Sequence, residues 1–309
     1  MRILITGGAG FIGSHVAEAY LAAGHDVSIV DDLSTGSRDN VPAEAHFSQA
    51  DINDLPSIEK VFADFRPEVV SHHAAQMDVR RSLRERRLDA EVNILGSLSI
   101  LELCIRSGVK KIIFASSGGA VYGQPKKLPV AETAAETPIS HYGVAKLAVE
   151  RYLHLYEYLH GLSFTSLRYA NVYGPRQNPE GEAGAVAIFA GQMLQGKRPT
   201  IFGDGSKTRD YVYIEDVVLA NILSLTRGDG CTCNIGCGVE TSDYEIFDEI
   251  RRYLRLALEP RFAPSIRGEV EHIALDIRLA ARVLNWKPKT SLRDGLAKSV
   301  DHVRRCVTA

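Results

Sequence analysis

Short apolar runs alternate with longer amphipathic segments through the first half of this chain. Segments with helical periodicity include Ile12–Ala23, Leu55–Phe65, Leu88–Arg106 and Tyr142–His160. This alternation predicts a doubly wound α/β fold, in which helices cover both faces of a parallel sheet. The predicted strands are Ile3–Ile5, Val27–Val30, His46–Ala50, Val69–His72, Ile112–Ala115 and Phe164–Leu167.

The pattern loosens after Tyr169, where a loop rich in Gly, Pro and Asn runs to Gly181. A helix at Val186–Gln195 and a short strand at Thr200–Phe202 follow. We therefore predict a first domain over residues 1–170 and a smaller C-terminal substrate-binding lobe over residues 171–309. Later segments, at about 206–240, are expected to return to the first domain.

A glycine-rich turn joins the first predicted strand to the first predicted helix. An aspartate ends the second strand 18 residues later, where it would hold the adenosine ribose. Glycines permit a tight turn and close approach of the backbone to a pyrophosphate, and the helix N-terminus offers free N–H groups. The sequence thus predicts a Rossmann domain that binds a dinucleotide through Gly7, Gly10, Phe11, Ile12, Gly13 and Asp31.

Ligands of such sheets lie beyond the carboxyl ends of the strands. Five segments of this chain occupy those positions, so we expect them to face one crevice. They are Thr6–Gly13, Asp31–Asp32, Asp51, His73–Gln76 and Ser116–Gly119.

Tyr142 and Lys146 are spaced to share one face of a predicted helix, which Ser140 would cap. A cation near a tyrosine favours the phenolate and makes it a general base. Tyr122 and Lys126 have the same spacing, but Gly123 and Pro125 oppose a helix there. We therefore predict that Tyr142 is the catalytic tyrosine.

Two further polar features complete the candidate chemistry. Ser116 and Ser117 end a predicted strand, and either hydroxyl could bond the substrate oxygen that the tyrosine deprotonates. Arg209 lies in a turn before an apolar segment and suits a diphosphate.

The composition is that of an ordinary globular protein, with 309 residues, 45% apolar residues, 24% charged residues and a net charge of −2. No apolar window is long enough for a membrane span. The first strand begins at Arg2, which leaves no room for a signal peptide, so we expect a cytoplasmic protein. The slightly acidic charge argues against nucleic acid as a partner, despite the basic run Arg80–Arg87.

Five cysteines form an odd, sparse set, which indicates reduced thiols rather than a disulfide framework. Cys231, Cys233 and Cys237 do not have zinc-ligand spacing, so we expect no metal.

Together these motifs, with Leu167–Arg176 and Arg209–Tyr211, resemble the extended short-chain dehydrogenase/reductase family. The resemblance is to its NAD-dependent epimerase/dehydratase group, and within it to UDP-glucose 4-epimerase-like proteins. It implies a sugar-nucleotide 4-epimerase acting on UDP-hexoses through a transient 4-keto sugar on tightly bound NAD. It also implies a homodimer, since relatives pair the helices at Leu88–Arg106 and Tyr142–His160 across a two-fold axis.

The resemblance also implies residue roles. Tyr142 would be the base, Lys146 would hold the nicotinamide ribose, and Ser117 would bind the sugar 4-oxygen. The substrate diphosphate region would lie against Asn171 and Arg209. Further cofactor contacts would come from Asp32, Asp51, Ile52, Ala74, Ala75, Gln76, Asn93 and Tyr169.

Three positions depart from the family pattern. The segment from Ser117 to Tyr122 is one residue longer, which leaves the choice between Ser116 and Ser117 open. Ile266 stands where the family has an arginine, and Arg267 could replace it. Cys237 stands where threonine is common.

Three other functions remain open. Nucleotide-sugar 4,6-dehydratases resemble one another in having an acidic pair after the active-site hydroxyl. This chain has Gly118-Gly119 at those positions. A 4-keto-sugar reductase would release its cofactor. A catalytically silent dinucleotide sensor is the non-enzyme alternative, although such proteins often lack the Tyr–Lys pair.

Overall fold

A seven-stranded parallel sheet forms the centre of the protein. The computed structural model describes residues 1–179, 184–266 and 269–308. The strands are β1 (Arg2–Thr6), β2 (Asp26–Asp31), β3 (His46–Gln49), β4 (Val69–His72), β5 (Lys111–Ser117), β6 (Ser163–Tyr169), β7 (Asn171–Tyr173), β8 (Thr200–Phe202), β9 (Thr208–Arg209), β10 (Tyr211–Tyr213), β11 (Cys231–Ile235), β12 (Thr241–Ser242) and β13 (Arg261–Ala263).

Helices connect these strands and cover the sheet. They are α1 (Phe11–Ala22), α2 (Leu55–Phe65), α3 (Val79–Arg84), α4 (Arg86–Ala90), α5 (Ser97–Arg106), α6 (Gly118–Val121), α7 (His141–His160), α8 (Ala185–Leu194), α9 (Ile214–Ser224), α10 (Asp243–Leu254), α11 (Arg278–Val283) and α12 (Leu292–Thr308). A 3₁₀ turn covers Arg38–Asn40, and a π-helical segment, Glu91–Gly96, joins α4 to α5.

The strand order is β11-β6-β5-β4-β1-β2-β3, and every neighbouring pair is parallel. The predicted doubly wound α/β class is therefore confirmed. Each of the six predicted strands lies within or overlaps one of β1–β6. The long predicted helix Leu88–Arg106 is divided by the π-helical segment.

Apolar residues of the strands alternate between two cores, as the two-residue period of a strand requires. In β1, Ile3 and Ile5 pack with α1 and α9 on one face, whereas Leu4 packs with α2, α5 and α7 on the other. A third core, which includes Phe189 and Phe247, fills the space between α8, α10 and α12.

The second half of the chain contributes one strand to the main sheet. β11 pairs with β6, and Ile235 lies beside Tyr169. The division at about residue 170 stays a prediction, but this segment shows that the sheet is not built from the first half alone.

Local signals position α7, the helix that carries Tyr142 and Lys146. The Ser140 hydroxyl accepts a hydrogen bond from the Gly143 N–H at 3.1 Å, and Gly161 ends the helix in the left-handed conformation. Arg168 on β6 then fixes α7 to the sheet, because its guanidinium donates to the Glu150 carboxylate at 2.6 and 2.9 Å. Both side chains are almost completely buried.

We expect the Arg168→Met substitution to lower the free energy of unfolding by about 3–5 kcal/mol, because it leaves the buried Glu150 charge without its partner. Urea unfolding measures this change. Arg106→Ala is the control, since Arg106 pairs with Glu59 at the surface and its loss should cost less than about 1 kcal/mol. Equal effects of the two substitutions would contradict the assignment of α7 anchoring to Arg168.

Candidate active site

The glycine turn between β1 and α1 is built by close backbone contacts. Gly7 has a φ of +71°, in the left-handed region that favours glycine. A Cβ at Gly13 would lie 2.2 Å from the Gly7 carbonyl oxygen, so no larger residue fits. Gly10 caps α1 without a side-chain hydrogen bond, and the first helical turn has no acidic residue. The N–H groups of Phe11, Ile12 and Gly13 are therefore placed to bind an anion.

Asp31 connects this turn to the end of β2. Its carboxylate accepts hydrogen bonds from the Ala9 N–H and the Leu33 N–H, each at 2.9 Å. Burial raises the pKa of this carboxyl, and these amide hydrogen bonds oppose the rise. The neighbouring Asp32 is exposed and accepts from Ser34. Asp31 is thus held beside the turn, where it can also accept from a ribose.

The next two strand ends lie along the same edge of the sheet. Ile52 is buried, and a Cβ at Gly96 would lie 2.6 Å from its Cδ1 atom. Asp51 is exposed and accepts from the Asn53 N–H at 2.8 Å. After β4, the half-buried Ala74 and Ala75 border the turn, because the Ala74 N–H approaches the Thr6 hydroxyl at 3.3 Å.

Gln76 and Asn93 form a buried amide cluster with Asp89. The Gln76 N–H donates to Asn93 Oδ1, and Asn93 Nδ2 donates to the Gln76 carbonyl, both at 2.9 Å. Both side-chain amides then donate to Asp89 Oδ1, at 2.9 and 3.0 Å. This cluster connects the segment after β4 to the π-helical turn.

Tyr142 and Lys146 lie one helical turn apart on α7, next to the end of β5. Lys146 Nζ donates to the Ala115 carbonyl at 2.9 Å and lies 5.7 Å from the centre of the Tyr142 ring. Burial lowers the pKa of Lys146 to about 8, although Asp89 and Glu150 oppose this. Burial raises the pKa of Tyr142 to about 12, and its hydrogen bond with Ser117 counteracts part of that rise.

Ser116 and Ser117 have different environments, as consecutive strand residues do. The Ser116 hydroxyl is buried and donates to Glu150 Oε1 at 2.6 Å. The Ser117 hydroxyl makes no capping hydrogen bond to α6 and faces Tyr142, whose pKa it lowers. Ser117 therefore remains the proposed active-site hydroxyl.

Tyr169 lies beside Ser117 in the sheet, and Asn171 lies near Gly119. Tyr169 pairs with Ser117 in the sheet, but its own buried hydroxyl is bonded to Asn221. A contact of Tyr169 with a nicotinamide would therefore come from its ring or backbone. Asn171 faces the crevice, since its Oδ1 atom lies 3.5 Å from the position that a Cβ at Gly119 would take.

Known proteins of the same architecture share this arrangement of elements. Residues 3–236 match the NAD dependent epimerase/dehydratase family. A putative UDP-glucose 4-epimerase of Methanocaldococcus jannaschii is 45% identical over 303 residues, which cover 98% of each chain. A solved UDP-glucose 4-epimerase of Thermotoga maritima with UDP-glucose has a TM-score of 0.98 and 47% identity, covering 99% of this chain and 100% of that one. A Thermus thermophilus UDP-glucose 4-epimerase in complex with NAD has a TM-score of 0.94 and 43% identity, covering 98% and 99%.

The chain belongs to the NAD-dependent epimerase/dehydratase family. The predicted resemblance is confirmed, and NAD is the cofactor of the family. The glycine turn fits this cofactor, because its closely packed backbone leaves the α1 amides open to a pyrophosphate beside Asp31.

Tyr122 and Lys126, which have the same spacing as Tyr142 and Lys146, do not share one face of a helix. Tyr122 is buried, where its hydroxyl donates to Asn234 Oδ1 at 2.8 Å and accepts from Arg168 at 2.7 Å. Lys126 is exposed in a loop beyond it. Tyr122 is therefore part of the buried network around Arg168.

Arg209 lies on β9, beside β12. Its Nη1 atom donates to the Thr208 and Glu271 carbonyls at 2.8 and 3.3 Å, which fixes the guanidinium to the segment after residue 268. Arg267, the proposed replacement for the arginine missing at Ile266, lies outside the described residues.

The sequence did not reveal two groups of charged residues. Asp89 precedes Asn93 by one helical turn, and this spacing was the available signal. Lys207 donates to Glu269 at 2.8 Å, and Arg80 donates to the same carboxylate at 2.9 Å. No local pattern could show this second group, because its members lie far apart in the sequence.

The described part of the chain contains no group of three metal-ligating side chains. Nor does any helix in these residues have the length and apolarity needed to cross a membrane. All five cysteines are free thiols.

We expect this protein to bind NAD at least about tenfold more tightly than NADP, because the Asp31 carboxylate would repel a 2′-phosphate. Titration of the cofactor-free protein with each dinucleotide measures the ratio. Asp31→Asn should reduce the preference, whereas Asp26→Asn, at the opposite end of β2, should leave it unchanged. Equal affinity of the unaltered protein for both cofactors would contradict this role of Asp31.

Proposed function

We propose that this protein is an NAD-dependent UDP-sugar 4-epimerase that interconverts UDP-glucose and UDP-galactose through a transient 4-keto sugar. The observation that carries the proposal is the placement of Tyr142, Lys146 and Ser117 at the sheet edge that also holds the glycine turn. The full-length similarity to UDP-glucose 4-epimerases supports the same reaction.

Proton transfer is the task of Tyr142 in this proposal. Its phenolate takes the proton of the sugar 4-hydroxyl, while the Ser117 hydroxyl holds the same oxygen. Burial alone opposes the phenolate, so a nearby positive charge is required. Lys146 supplies one beneath the ring, at 5.7 Å from its centre.

Bound NAD would accept the hydride of sugar C4, return it to the opposite face and add positive charge near Tyr142. The proposed contacts come from the carboxyl edge of the sheet, where the chain offers backbone amides, an acidic side chain and the amide cluster. They are Gly7, Gly10, Phe11, Ile12, Gly13, Asp31, Asp32, Asp51, Ile52, Ala74, Ala75, Gln76, Asn93, Tyr142, Lys146 and Tyr169.

The nucleotide-sugar diphosphate region would lie between the two halves of the chain. Asn171 and Arg209 are proposed as its ligands, because the Asn171 side chain lies beside Gly119 and the Asn171 N–H donates to the carbonyl of Asp210, the residue after Arg209. The assignment of Arg267 to the same diphosphate stays a prediction.

The alternatives lack a specific feature that favours them. Gly118 and Gly119 follow Ser117 directly, so the acidic pair of the 4,6-dehydratases has no counterpart at these positions. A sensor would not require Tyr142 next to the buried Lys146. A reductase shares this pair and differs by releasing its cofactor.

The direct test incubates the purified protein with a panel of UDP- and dTDP-sugars and resolves the products. Conversion of UDP-glucose to UDP-galactose without added NAD supports the proposal. Loss of water from a dTDP-sugar, or a need for added reduced cofactor, would instead identify a dehydratase or a reductase.

We also propose a homodimer, formed through α7 and the π-helical segment. Val144, Leu155, Tyr158 and Leu159 are exposed on one face of α7, and Leu95 is exposed nearby on the π-helical segment. A group of exposed apolar residues on one helix face is typical of a two-fold interface. The five free thiols support a reducing compartment, and we propose the cytoplasm.

Tyr142→Phe should lower turnover by about 10²–10⁴-fold with little change in nucleotide-sugar affinity, because it removes only the proton acceptor. Steady-state kinetics and a binding titration separate the two effects. Tyr122→Phe is the matched control and should mainly reduce stability, since its hydroxyl bonds Asn234 and Arg168. Similar losses of activity in both variants would show that Tyr142 is not the base.

Leu155→Glu should convert the dimer to a monomer, because it places a charge in the apolar face of α7. Sedimentation velocity at micromolar concentration measures the mass. Phe262→Glu, which changes an exposed apolar residue on β13, should leave the mass unchanged. An unaltered protein that sediments as a monomer would refute the homodimer.

A further inference from the structure

Asp89 is a buried carboxylate that takes no direct part in the proposed proton transfer. It lies on α4, is 1% exposed and accepts hydrogen bonds from the Gln76 and Asn93 amides on one oxygen. Both donors are neutral, so they hold the carboxylate without cancelling its charge. A buried charge kept in this way needs a counterion nearby.

Helix α4 packs against α7, the helix that carries Lys146. The charge of Asp89 raises the pKa of Lys146 and of Tyr142. Burial raises the pKa of Asp89 itself, and the exposed His141 opposes this rise. Glu150 also faces Lys146, but the Arg168 guanidinium binds Glu150 at 2.6 Å and balances it. Asp89 differs from Glu150, because its hydrogen bonds in the described residues come from two amides and from no arginine.

Other charged or titratable groups near Lys146 and Asp89 lie on β4 and α3. His72 and His73, at the end of β4, face Lys146, and burial lowers the pKa of each to about 3, so both are neutral. On α3, Arg80 pairs with Glu269 and Arg81 pairs with Glu85, whereas Arg84 is exposed.

A chain of hydrogen bonds joins the Asp89 cluster to the glycine turn. Thr6 Oγ1 lies 2.6 Å from His72 Nδ1, and His72 Nε2 lies 2.9 Å from Ser97 Oγ. The Ser97 hydroxyl donates to the Asn93 carbonyl at 2.7 Å. Since Thr6 Oγ1 already accepts from the Ala74 N–H, the consistent arrangement has Thr6 donating to His72 and His72 donating to Ser97. The chain therefore fixes the Asn93 backbone carbonyl, while the Asn93 side-chain amide is held by Gln76 and Asp89.

We propose that Asp89 is a positioning residue that fixes the Gln76 and Asn93 amides and supplies the negative charge balancing Lys146 beside Tyr142. The effect of Asp89 on the reaction rests on the proposed function. Its effect on the pKa of Tyr142 and Lys146 can be measured without turnover. Removing a negative charge makes proton loss easier from whichever member of the Tyr142–Lys146 pair gives up a proton.

The test replaces Asp89 by two neutral residues of different shape. Asp89→Asn keeps an acceptor oxygen for the two amides, and Asp89→Ser leaves space for water. In both variants the acid limb of the turnover–pH profile of the holoenzyme should move to lower pH by about one unit. The control is Asp216→Asn, since Asp216 is a buried carboxylate that accepts from the Lys289 and Thr290 amides and acts on Tyr173 and Tyr213 instead. That control should not move the limb.

A second readout does not require activity. Tyrosinate absorbance is titrated in the holoenzyme and in each Asp89 variant, with and without Tyr142→Phe, so that the difference isolates Tyr142 among the 12 tyrosines. The Tyr142 midpoint should fall in both Asp89 variants. An unchanged or raised midpoint in both would overturn the proposal, whereas a lowered midpoint in an inactive protein would leave it standing and refute only the 4-epimerase function.

Discussion

The buried ion pair between Glu150 and Arg168 fixes the rotation of α7, the helix that carries the proposed base Tyr142. Tyr142, Lys146 and Glu150 follow one another at intervals of four residues, so they lie along one face of α7. When Arg168 on β6 holds Glu150 against the sheet, that face must turn toward the end of β5. Lys146 then reaches the Ala115 carbonyl and Tyr142 reaches Ser117. The Glu150–Arg168 contact thereby positions the side chains of both Lys146 and Tyr142.

The same pair explains why the two adjacent serines have different surroundings. Ser116 and Ser117 are consecutive on β5 and contact different residues of α7, since Glu150 accepts the Ser116 hydroxyl at 2.6 Å. The carboxylate that bonds Arg168 therefore also binds the buried Ser116 hydroxyl. Ser117 has no such partner on the sheet and is directed to Tyr142.

The sequence was sufficient for elements whose pattern is local. Strand alternation, the glycine turn and the Ser140 cap are each encoded within a few residues, and the predicted fold follows from them. The choice between Ser116 and Ser117 was not readable, because it depends on Glu150 and Arg168 from other elements.

Asp89 was missed for the same physical reason. Its spacing to Asn93 is visible in the sequence, but its proximity to Lys146 depends on how α4 packs on α7. The π-helical segment that follows was equally invisible, since it changes the hydrogen bonding of a helix without breaking its apolar pattern. Charge pairs between distant elements are therefore the part of this site that only the fold could supply.

A buried ion pair is a weak argument for stability, because an apolar pair of similar volume often stabilises a protein as well or better. Directional hydrogen bonding is what an apolar pair could not reproduce here. Arg168 donates to Glu150, to Glu136 and to the Tyr122 hydroxyl, which fixes it on three sides. Apolar packing between α7 and β6 would tolerate small rotations of the helix, and each would move Lys146 away from Ala115 and Tyr142 away from Ser117. Because proton transfer requires heavy atoms within hydrogen-bonding distance, the value of the pair lies in the position it gives to Tyr142 rather than in the free energy it adds to folding.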